Sequence, residues 1–222
     1  MQRPVGGAGR ALHGVAAWAP PIRHDRVIVA PLFFFGAMSP YSWFSAERIA
    51  QLLPDAHWRA VFLGGMFKAN GRASWGLDER REAGIAECEA RARDYGLAPM
   101  RWPEPWPTSD LTVARAMIAA DARDLLKPFA LAAMRMAFRE GADLAQTAVV
   151  LEAGHRAGID ADELGAALTD PEVKSALRLA TDDALARGVF GVPTVIARDE
   201  LFWGDDRLEQ AAAAAVSGSA AA

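Results

Sequence analysis

Residues 32–42 read LFFFGAMSPYS, which joins a strongly apolar segment to a turn rich in serine. The aromatic run predicts a buried strand over residues 26–35, and residues 43–53 have the apolar spacing of a helix. The turn between them places Ser39 where the helix begins. The free N–H groups and partial positive charge at a helix N-terminus favour a thiolate or another anion there.

A second strand and a loop follow this helix. Pro54 and Asp55 end the helix, and residues 57–63 alternate loosely between apolar and polar side chains, which predicts a strand. Two strands that are joined by a crossover helix are most simply parallel. We interpret residues 66–75 as a glycine-containing loop that carries one lysine, Lys68.

The middle of the chain is predicted to be helical, since alanine is abundant there and start signals recur, such as TDPE at residues 169–172. The segment RWPEPWP at residues 101–107 is an exception, because its three prolines forbid a helix and favour a rigid extended loop. Asp110 or Ser109 is the predicted N-cap of the second helix. The predicted helices span residues 77–95, 110–126, 128–140, 144–157, 162–168 and 170–187.

Strand signals return at residues 193–197 and 200–203, and a final helix follows from Arg207. The order of elements predicts an α/β fold, with a β-α-β unit and a β-β-α unit in one thioredoxin-like domain. Residues 26–74 and 188–216 form this discontinuous domain, and residues 75–187 form an all-helical insertion domain. Residues 1–25 carry arginines and no acid before Asp25, and we interpret them as a mostly disordered tail.

Composition excludes several classes of function. The chain has 222 residues, is 52% hydrophobic and 23% charged, and has a net charge of -4 without a basic run, so nucleic acid is not an expected partner. No apolar stretch reaches the roughly 20 residues of a membrane helix. A disulfide within the chain is impossible because Cys88 is the one cysteine, for which we favour a packed core thiol over a reactive one. His57 and His155 lack metal-ligand spacing, so no metal site is expected. The low cysteine content favours the cytoplasm.

Four motifs occur in order along the chain: SPY at residues 39–41, GGMFK at 64–68, VFGVPT at 189–194 and LFWGDDRL at 201–208. In this combination the chain resembles the 2-hydroxychromene-2-carboxylate isomerase family over roughly residues 27–212. That family is a branch of the DsbA-like thioredoxin folds and is close to kappa-class glutathione transferases. In thioredoxins the turn after the first strand holds Cys-x-x-Cys, whereas here Ser39 and Ser42 stand in both places.

The resemblance implies that the chain uses glutathione as a cofactor and that Ser39 is catalytic. Its hydroxyl would donate to the glutathione sulfur and favour the thiolate, with Pro40 and Tyr41 completing the binding turn. The alternative is that Ser39 is an N-cap without a ligand. A usual disulfide oxidoreductase is excluded because Ser39 and Ser42 cannot form a disulfide.

The same resemblance assigns cofactor contacts at the far end of the chain. Val192 would pair its backbone with the cysteinyl part of glutathione and cis-Pro193 would position it, the alternative being an ordinary proline at a strand entry. Asp205 and Asp206 would hold the γ-glutamyl end, the alternative being that they only cap the last helix. Lys68 would meet the glycine carboxylate or an acid group of the substrate, unless it is a solvated loop lysine.

Two further points concern the substrate side of the site. Kappa-class relatives have an asparagine ligand in the loop after Lys68, where a gapless match gives Arg72 and leaves Asn70 two residues earlier. Trp75, Trp102 and Trp106 are candidates to wall an aromatic substrate pocket between the two domains, and core packing is equally compatible with each of them.

The resemblance therefore implies a glutathione-dependent cis-trans isomerase of 2-hydroxychromene-2-carboxylate, or of a similar conjugated aromatic keto-acid, in aromatic compound degradation. One alternative is a kappa-like glutathione transferase or peroxidase that has the same site and another second substrate. The other is a thioredoxin-fold binding protein without catalysis. A homodimer is expected from the family alone.

Overall fold

The computed structural model describes residues 30–216. The tail predicted for residues 1–25 and the end of the chain after residue 216 lie outside these residues. Four strands form one mixed sheet: β1 (Leu32–Phe35), β2 (His57–Ala60), β3 (Thr194–Ala197) and β4 (Glu200–Trp203). Their order is β2-β1-β3-β4, with β1 parallel to β2 and antiparallel to β3, and β3 antiparallel to β4. The predicted thioredoxin-like arrangement is confirmed.

Helices cover both faces of this sheet and form the insertion between β2 and β3. They are α1 (Pro40–Leu52), α2 (Leu63–Ala69), α3 (Arg81–Asp94), α4 (Leu111–Asp121), α5 (Leu126–Glu140), α6 (Thr147–Arg156), α7 (Ala161–Thr169), α8 (Pro171–Ala186) and α9 (Leu208–Val216). The predicted start of α3 at residue 77 is wrong, because a short 3-10 helix (Trp75–Leu77) capped by the Ser74 hydroxyl comes first.

Strand β1 is buried on both faces, which explains its uninterrupted apolar sequence. Phe33 and Phe35 stack on one face with their ring centroids 5.3 Å apart, and both make edge contacts with Trp58 of β2. Phe34 points to the other face, into a smaller cluster that contains Val192. The central strand thus ties both layers of helices to the segment that precedes β3.

The loop predicted for residues 66–75 is wrong at its start, since residues 63–69 form helix α2. The N-terminus of α2 is capped by a distant residue: the Asp110 carboxylate accepts from the N–H of Leu63 at 2.8 Å and from the N–H of Gly64 at 3.3 Å. Asp110 therefore stabilises α2, and its side chain makes no cap bond to its own helix α4. A cap that lies 47 residues away leaves no local signal for a helix start.

Asp110 should make the protein less stable as the pH rises from about 4 to about 6. Burial raises the pKa of its carboxyl from 3.8 to about 6. The two backbone N–H groups that donate to the carboxylate lower the pKa, but burial has the larger effect. Within that window the folded state holds more protons than the unfolded state, so the free energy of unfolding falls with rising pH. The fall attributable to Asp110 is on the order of 3 kcal/mol.

The measurement is urea unfolding at several pH values for the wild type and for Asp110→Asn, whose amide oxygen still accepts a cap bond. Between pH about 4 and about 6, the free energy of unfolding of the variant should rise relative to that of the wild type. Above pH about 6, the difference between the two should no longer change with pH. A difference that does not change with pH would contradict the buried, proton-binding carboxyl.

Candidate functional site

The Ser39 turn is closed by its own hydroxyl groups and backbone. The Ser39 N–H donates to the Gly36 carbonyl at 3.1 Å, and the Ser39 hydroxyl accepts from the Ser42 N–H at 3.2 Å as the N-cap of α1. The Ser42 hydroxyl accepts from the Gly36 N–H at 3.4 Å. Since capping uses Ser39 Oγ as an acceptor, its proton is still available for donation. Capping and thiolate binding are therefore compatible roles for Ser39.

The segment before β3 lies against this turn. The Val192-Pro193 peptide bond is cis, as the resemblance implied. A Cβ placed on Gly36 would lie 3.7 Å from Val192 Cγ2, so the Ser39 turn and the cis-proline segment are in close approach. The Pro193 carbonyl accepts from the Gly204 N–H at 2.9 Å. Within residues 30–216, the backbone N–H and C=O of Val192 make no hydrogen bond.

The two aspartates at the end of β4 lie in different environments. Asp205 is buried, and its carboxylate oxygens accept from Arg91 at 3.0 Å and from the Tyr95 hydroxyl at 2.8 Å. Its backbone carbonyl accepts from Arg48 of α1 at 3.3 Å. Asp206 is exposed. Asp206 is therefore better placed for a ligand ammonium group, whereas the carboxylate of Asp205 already holds α3; cofactor binding by either residue stays a prediction.

This network contains site residues that the sequence prediction missed. Arg91 of α3 and Tyr95, the C-cap of that helix, are four residues apart and donate to the same buried carboxylate. The Arg48 guanidinium carbon lies 3.8 Å from the centroid of the Tyr95 ring. Burial and the bond to Asp205 raise the pKa of Tyr95 to about 12, and burial raises the pKa of Asp205 although Tyr95 and Arg91 act to lower it. The four-residue spacing of Arg91 and Tyr95, which puts them on one face of a helix, was the one sequence signal that could have indicated this network.

Tyr41 connects the Ser39 turn to α3. Its hydroxyl and the thiol of Cys88 influence each other's pKa, and the Arg91 guanidinium carbon lies 5.5 Å from the Tyr41 ring centroid. Burial raises the pKa of Tyr41 and raises the pKa of Cys88 to about 12. Cys88 is fully buried, so the prediction of a core thiol is confirmed. Tyr41 holds the turn against α3, and its role toward a cofactor stays a prediction.

The three predicted tryptophans form one cluster. Trp106 lies 4.9 Å from Trp75 and 4.7 Å from Trp102 between ring centroids, and Trp75 reaches Tyr41 at 6.5 Å. Trp106 is buried, and its indole nitrogen is buried without a hydrogen-bond partner among residues 30–216. Core packing therefore accounts for Trp106. Trp75 is half-buried and touches the turn, so it is the member of the cluster best placed toward a substrate.

Helix α2 brings its C-terminal end to the cis-proline segment. Lys68 is exposed in the last turn of α2, and the Asn70 side-chain amide donates to the Phe190 carbonyl at 3.4 Å. The Arg72 guanidinium carbon lies 5.6 Å from the Trp203 ring centroid. Phe190 and Trp203 are 40% and 43% exposed, and their ring centroids are 4.8 Å apart. This exposed aromatic pair was not predicted from the sequence.

The site coincides with neither of two cavities in the described part of the chain. One cavity, of about 640 Å³, lies on the outer face of α5, and a smaller one of about 270 Å³ lies between α2, α4 and α8. Neither is lined by Ser39 or Val192. We assign the functional site to the Ser39 turn and the cis-proline segment that faces it. There the Ser39 hydroxyl, at the N-terminus of α1, lies beside the N–H and C=O groups of Val192.

Two features are absent from residues 30–216. None of the helices combines the length and the apolar character that a transmembrane span requires. The same residues contain no group of three or more histidine, cysteine, aspartate or glutamate side chains that could hold a metal ion.

The fold and site together define a thioredoxin-fold protein with a helical insertion and with serines in place of the redox cysteines. The chain belongs to the DsbA-like thioredoxin domain family, whose model matches residues 32–215. It is 26% identical over 186 residues to 2-hydroxychromene-2-carboxylate isomerase of Sphingobium xenophagum, covering 80% of this chain and 93% of that protein.

Two other comparisons agree with this placement. The chain is 23% identical to glutathione S-transferase kappa 1 of Homo sapiens, covering 79% of this chain and 86% of that protein. It matches the solved structure of a 2-hydroxychromene-2-carboxylate isomerase with a TM-score of 0.74 at 21% identity, over 83% of this chain and 93% of that one. The resemblance inferred from the motifs is confirmed, and the chain is related to isomerase and glutathione transferase enzymes.

Proposed function

We propose that this protein is a glutathione-dependent cis-trans isomerase of 2-hydroxychromene-2-carboxylate or a similar conjugated aromatic keto-acid. The observation that carries the proposal is the N-cap hydroxyl of Ser39 beside the cis Val192-Pro193 segment, in a turn without cysteine. This arrangement can hold a thiol from a cofactor and cannot exchange a disulfide. The similarity to the isomerase and to the kappa transferase supports the choice of glutathione.

The residues around the turn fit this cofactor. The N–H and C=O of Val192 can pair with a peptide-like ligand as a strand does, and Asp206 can accept from an ammonium group. Lys68 is exposed near the same segment and can meet a carboxylate. The Ser39 hydroxyl and the N-terminus of α1 lower the pKa of a thiol placed there, because both favour the charged form.

When bound, glutathione would supply the thiol that adds reversibly to the conjugated substrate, which permits rotation about the former double bond and leaves the cofactor unchanged. The protein's part is to orient the thiol, to keep it deprotonated with the Ser39 hydroxyl, and to hold the substrate beside it. Trp75, Trp102 and Lys68 stay candidates for the substrate contact, with Trp106 behind them. A homodimer and a cytoplasmic location also stay predictions.

The decisive experiment follows 2-hydroxychromene-2-carboxylate by absorbance while the free thiol of glutathione is titrated. An isomerase converts substrate to an equilibrium mixture only when glutathione is present, and the thiol concentration stays constant. Loss of one thiol per turnover would favour the kappa-like transferase instead. If calorimetry detects no glutathione binding at millimolar concentration, the chain is better described as a thioredoxin-fold binding protein.

A further inference from the structure

A basic groove lies on the outer face of α5, separate from the Ser39 turn. We use this name for the cavity of about 640 Å³ whose apolar floor includes Pro99, Pro128 and Leu131 and whose rim includes Arg135, Arg139, Arg156 and Glu140. Its volume falls in the range of small-molecule sites. Four of the lining residues on α5, namely Pro128, Leu131, Arg135 and Arg139, recur at intervals of three, four and four residues, so they form one stripe along the helix. No role in the proposed reaction uses this groove.

The three arginines of the rim differ in their partners. Arg135 is held by Glu47 of α1 through two hydrogen bonds of 2.7 Å. Arg156 is held by Glu140 at 2.6 Å and by Glu152 at 2.9 Å. Two of the three rim arginines are therefore already paired with carboxylates, and Arg139 is the third.

Arg139 is the cation available to a ligand. Among residues 30–216 its guanidinium makes no hydrogen bond and no ion pair within 4.0 Å, although its charge contributes to lowering the pKa of Glu47. Arg139 is one turn after Arg135 on the same stripe, and its side chain is exposed. A guanidinium offers a planar fork that matches a carboxylate in two parallel hydrogen bonds and stacks on aromatic rings.

We propose that the basic groove binds a small aromatic carboxylate, with Arg139 pairing its carboxylate and the apolar floor covering its ring. Pro99, Pro128 and Leu131 offer apolar contact, and the exposed Arg139 guanidinium offers a positive charge. A neutral aromatic molecule would gain the apolar contact without the ion pair. The site is separate from the proposed glutathione site, so this inference stands or falls independently of the isomerase proposal.

The test is calorimetric titration of the full chain with naphthoate at saturating glutathione, which fills the cofactor part of the Ser39 site. Binding at the substrate part of that site is separated by Arg139→Gln, which leaves the Ser39 site unchanged. Naphthoate should bind, and neutral naphthamide should bind at least tenfold more weakly. Arg139→Gln should weaken naphthoate binding about tenfold, and Arg139→Lys should weaken it less, because the lysine keeps the charge and loses the fork. Arg80→Gln is the matched control, since Arg80 is exposed and lies outside the groove.

Three results would overturn the proposal. The first is that Arg139→Gln and the wild type bind naphthoate with equal affinity, while circular dichroism shows that both proteins are folded. The second is naphthoate binding that is found without glutathione and lost at saturating glutathione, which would place the probe at the Ser39 turn. The third is a change of oligomeric state in Arg139→Gln by sedimentation, which would identify the groove as a contact between two copies of the chain.

Discussion

Replacing Ser39 by alanine is expected to lower the turnover of 2-hydroxychromene-2-carboxylate by about 10²-fold or more. The Ser39 hydroxyl caps α1 beside the cis Val192-Pro193 segment, and in the proposed site it would donate to the glutathione thiolate. Removal of one preorganised donor to a developing or resident anion typically costs about 10²–10³ in rate. The pKa of the bound glutathione thiol should rise in the variant, so less thiolate forms at neutral pH. Steady-state kinetics and an ultraviolet titration of the thiolate measure both effects.

Two variants separate this role from the role of Ser39 as a helix cap. Ser39→Thr keeps both a cap acceptor and a donor, so it should retain most of the turnover. Ser42→Ala removes the hydroxyl that accepts from the Gly36 N–H and should reduce stability while the thiol pKa stays near that of the wild type. Near wild-type kinetics in Ser39→Ala would remove the catalytic role, whereas a loss of stability of about 1 kcal/mol is expected from the missing cap alone.

The sheet could be predicted because its signals are local. The aromatic run of β1, the serine turn and the proline before β3 each occupy a few consecutive residues, and the sheet pairs them as a thioredoxin-like fold requires. The Ser39 turn and the cis-proline segment are far apart in sequence. Their approach could be expected only because they occur together with the other two motifs.

Helix α2 could not be predicted because its cap is supplied from a distance. Gly64 and Gly65 resemble a loop, and neither has a side chain that signals a helix start. In the structure the ring of Phe62 fills the space beside them, where a Cβ on Gly65 would meet it at 2.8 Å. The Asp110 carboxylate then satisfies the first N–H groups of α2. Tertiary contacts, and not local preference, decide the conformation of this segment.

The sequence singled out the candidate site residues, but it did not predict the residues that support them. Asp205 and Asp206 are identical neighbours in sequence, and only the packing of α3 buries one and exposes the other. Arg91 lies 114 residues from Asp205, so no local pattern could pair them. The tryptophans were singled out as a group and do pack together, and this packing buries Trp106, so their contact with a substrate stays a prediction.

Replacing Asp205 by alanine should lower the free energy of unfolding by about 3 kcal/mol, the low end of what breaking a buried ion pair costs. The low end applies because Arg91 keeps 27% of its side chain exposed and can recover some contact with water. The change also removes the acceptor of the Tyr95 hydroxyl. Urea unfolding measures this loss of stability. Asp205→Asn keeps an acceptor for Tyr95, so its free energy of unfolding should fall less. This variant replaces Asp205→Ala in the test if the alanine variant does not accumulate.

Asp206→Ala is the matched control, since it removes the same group from the exposed neighbour. Its free energy of unfolding should change by no more than about 0.5 kcal/mol, while its affinity for glutathione should fall if Asp206 holds the γ-glutamyl end. The double variant Asp205→Ala/Arg91→Met should recover part of the stability lost in Asp205→Ala. In the single variant Arg91 keeps, among residues 30–216, only the half-exposed Glu87 as a partner beside Tyr95, and the double variant removes that poorly compensated charge. Equal losses in Asp205→Ala and Asp206→Ala would mean that the ion pair to α3 does not support the site. A loss of stability confined to Asp205→Ala would mean that Asp205 holds the site together and that Asp206 is free to bind glutathione.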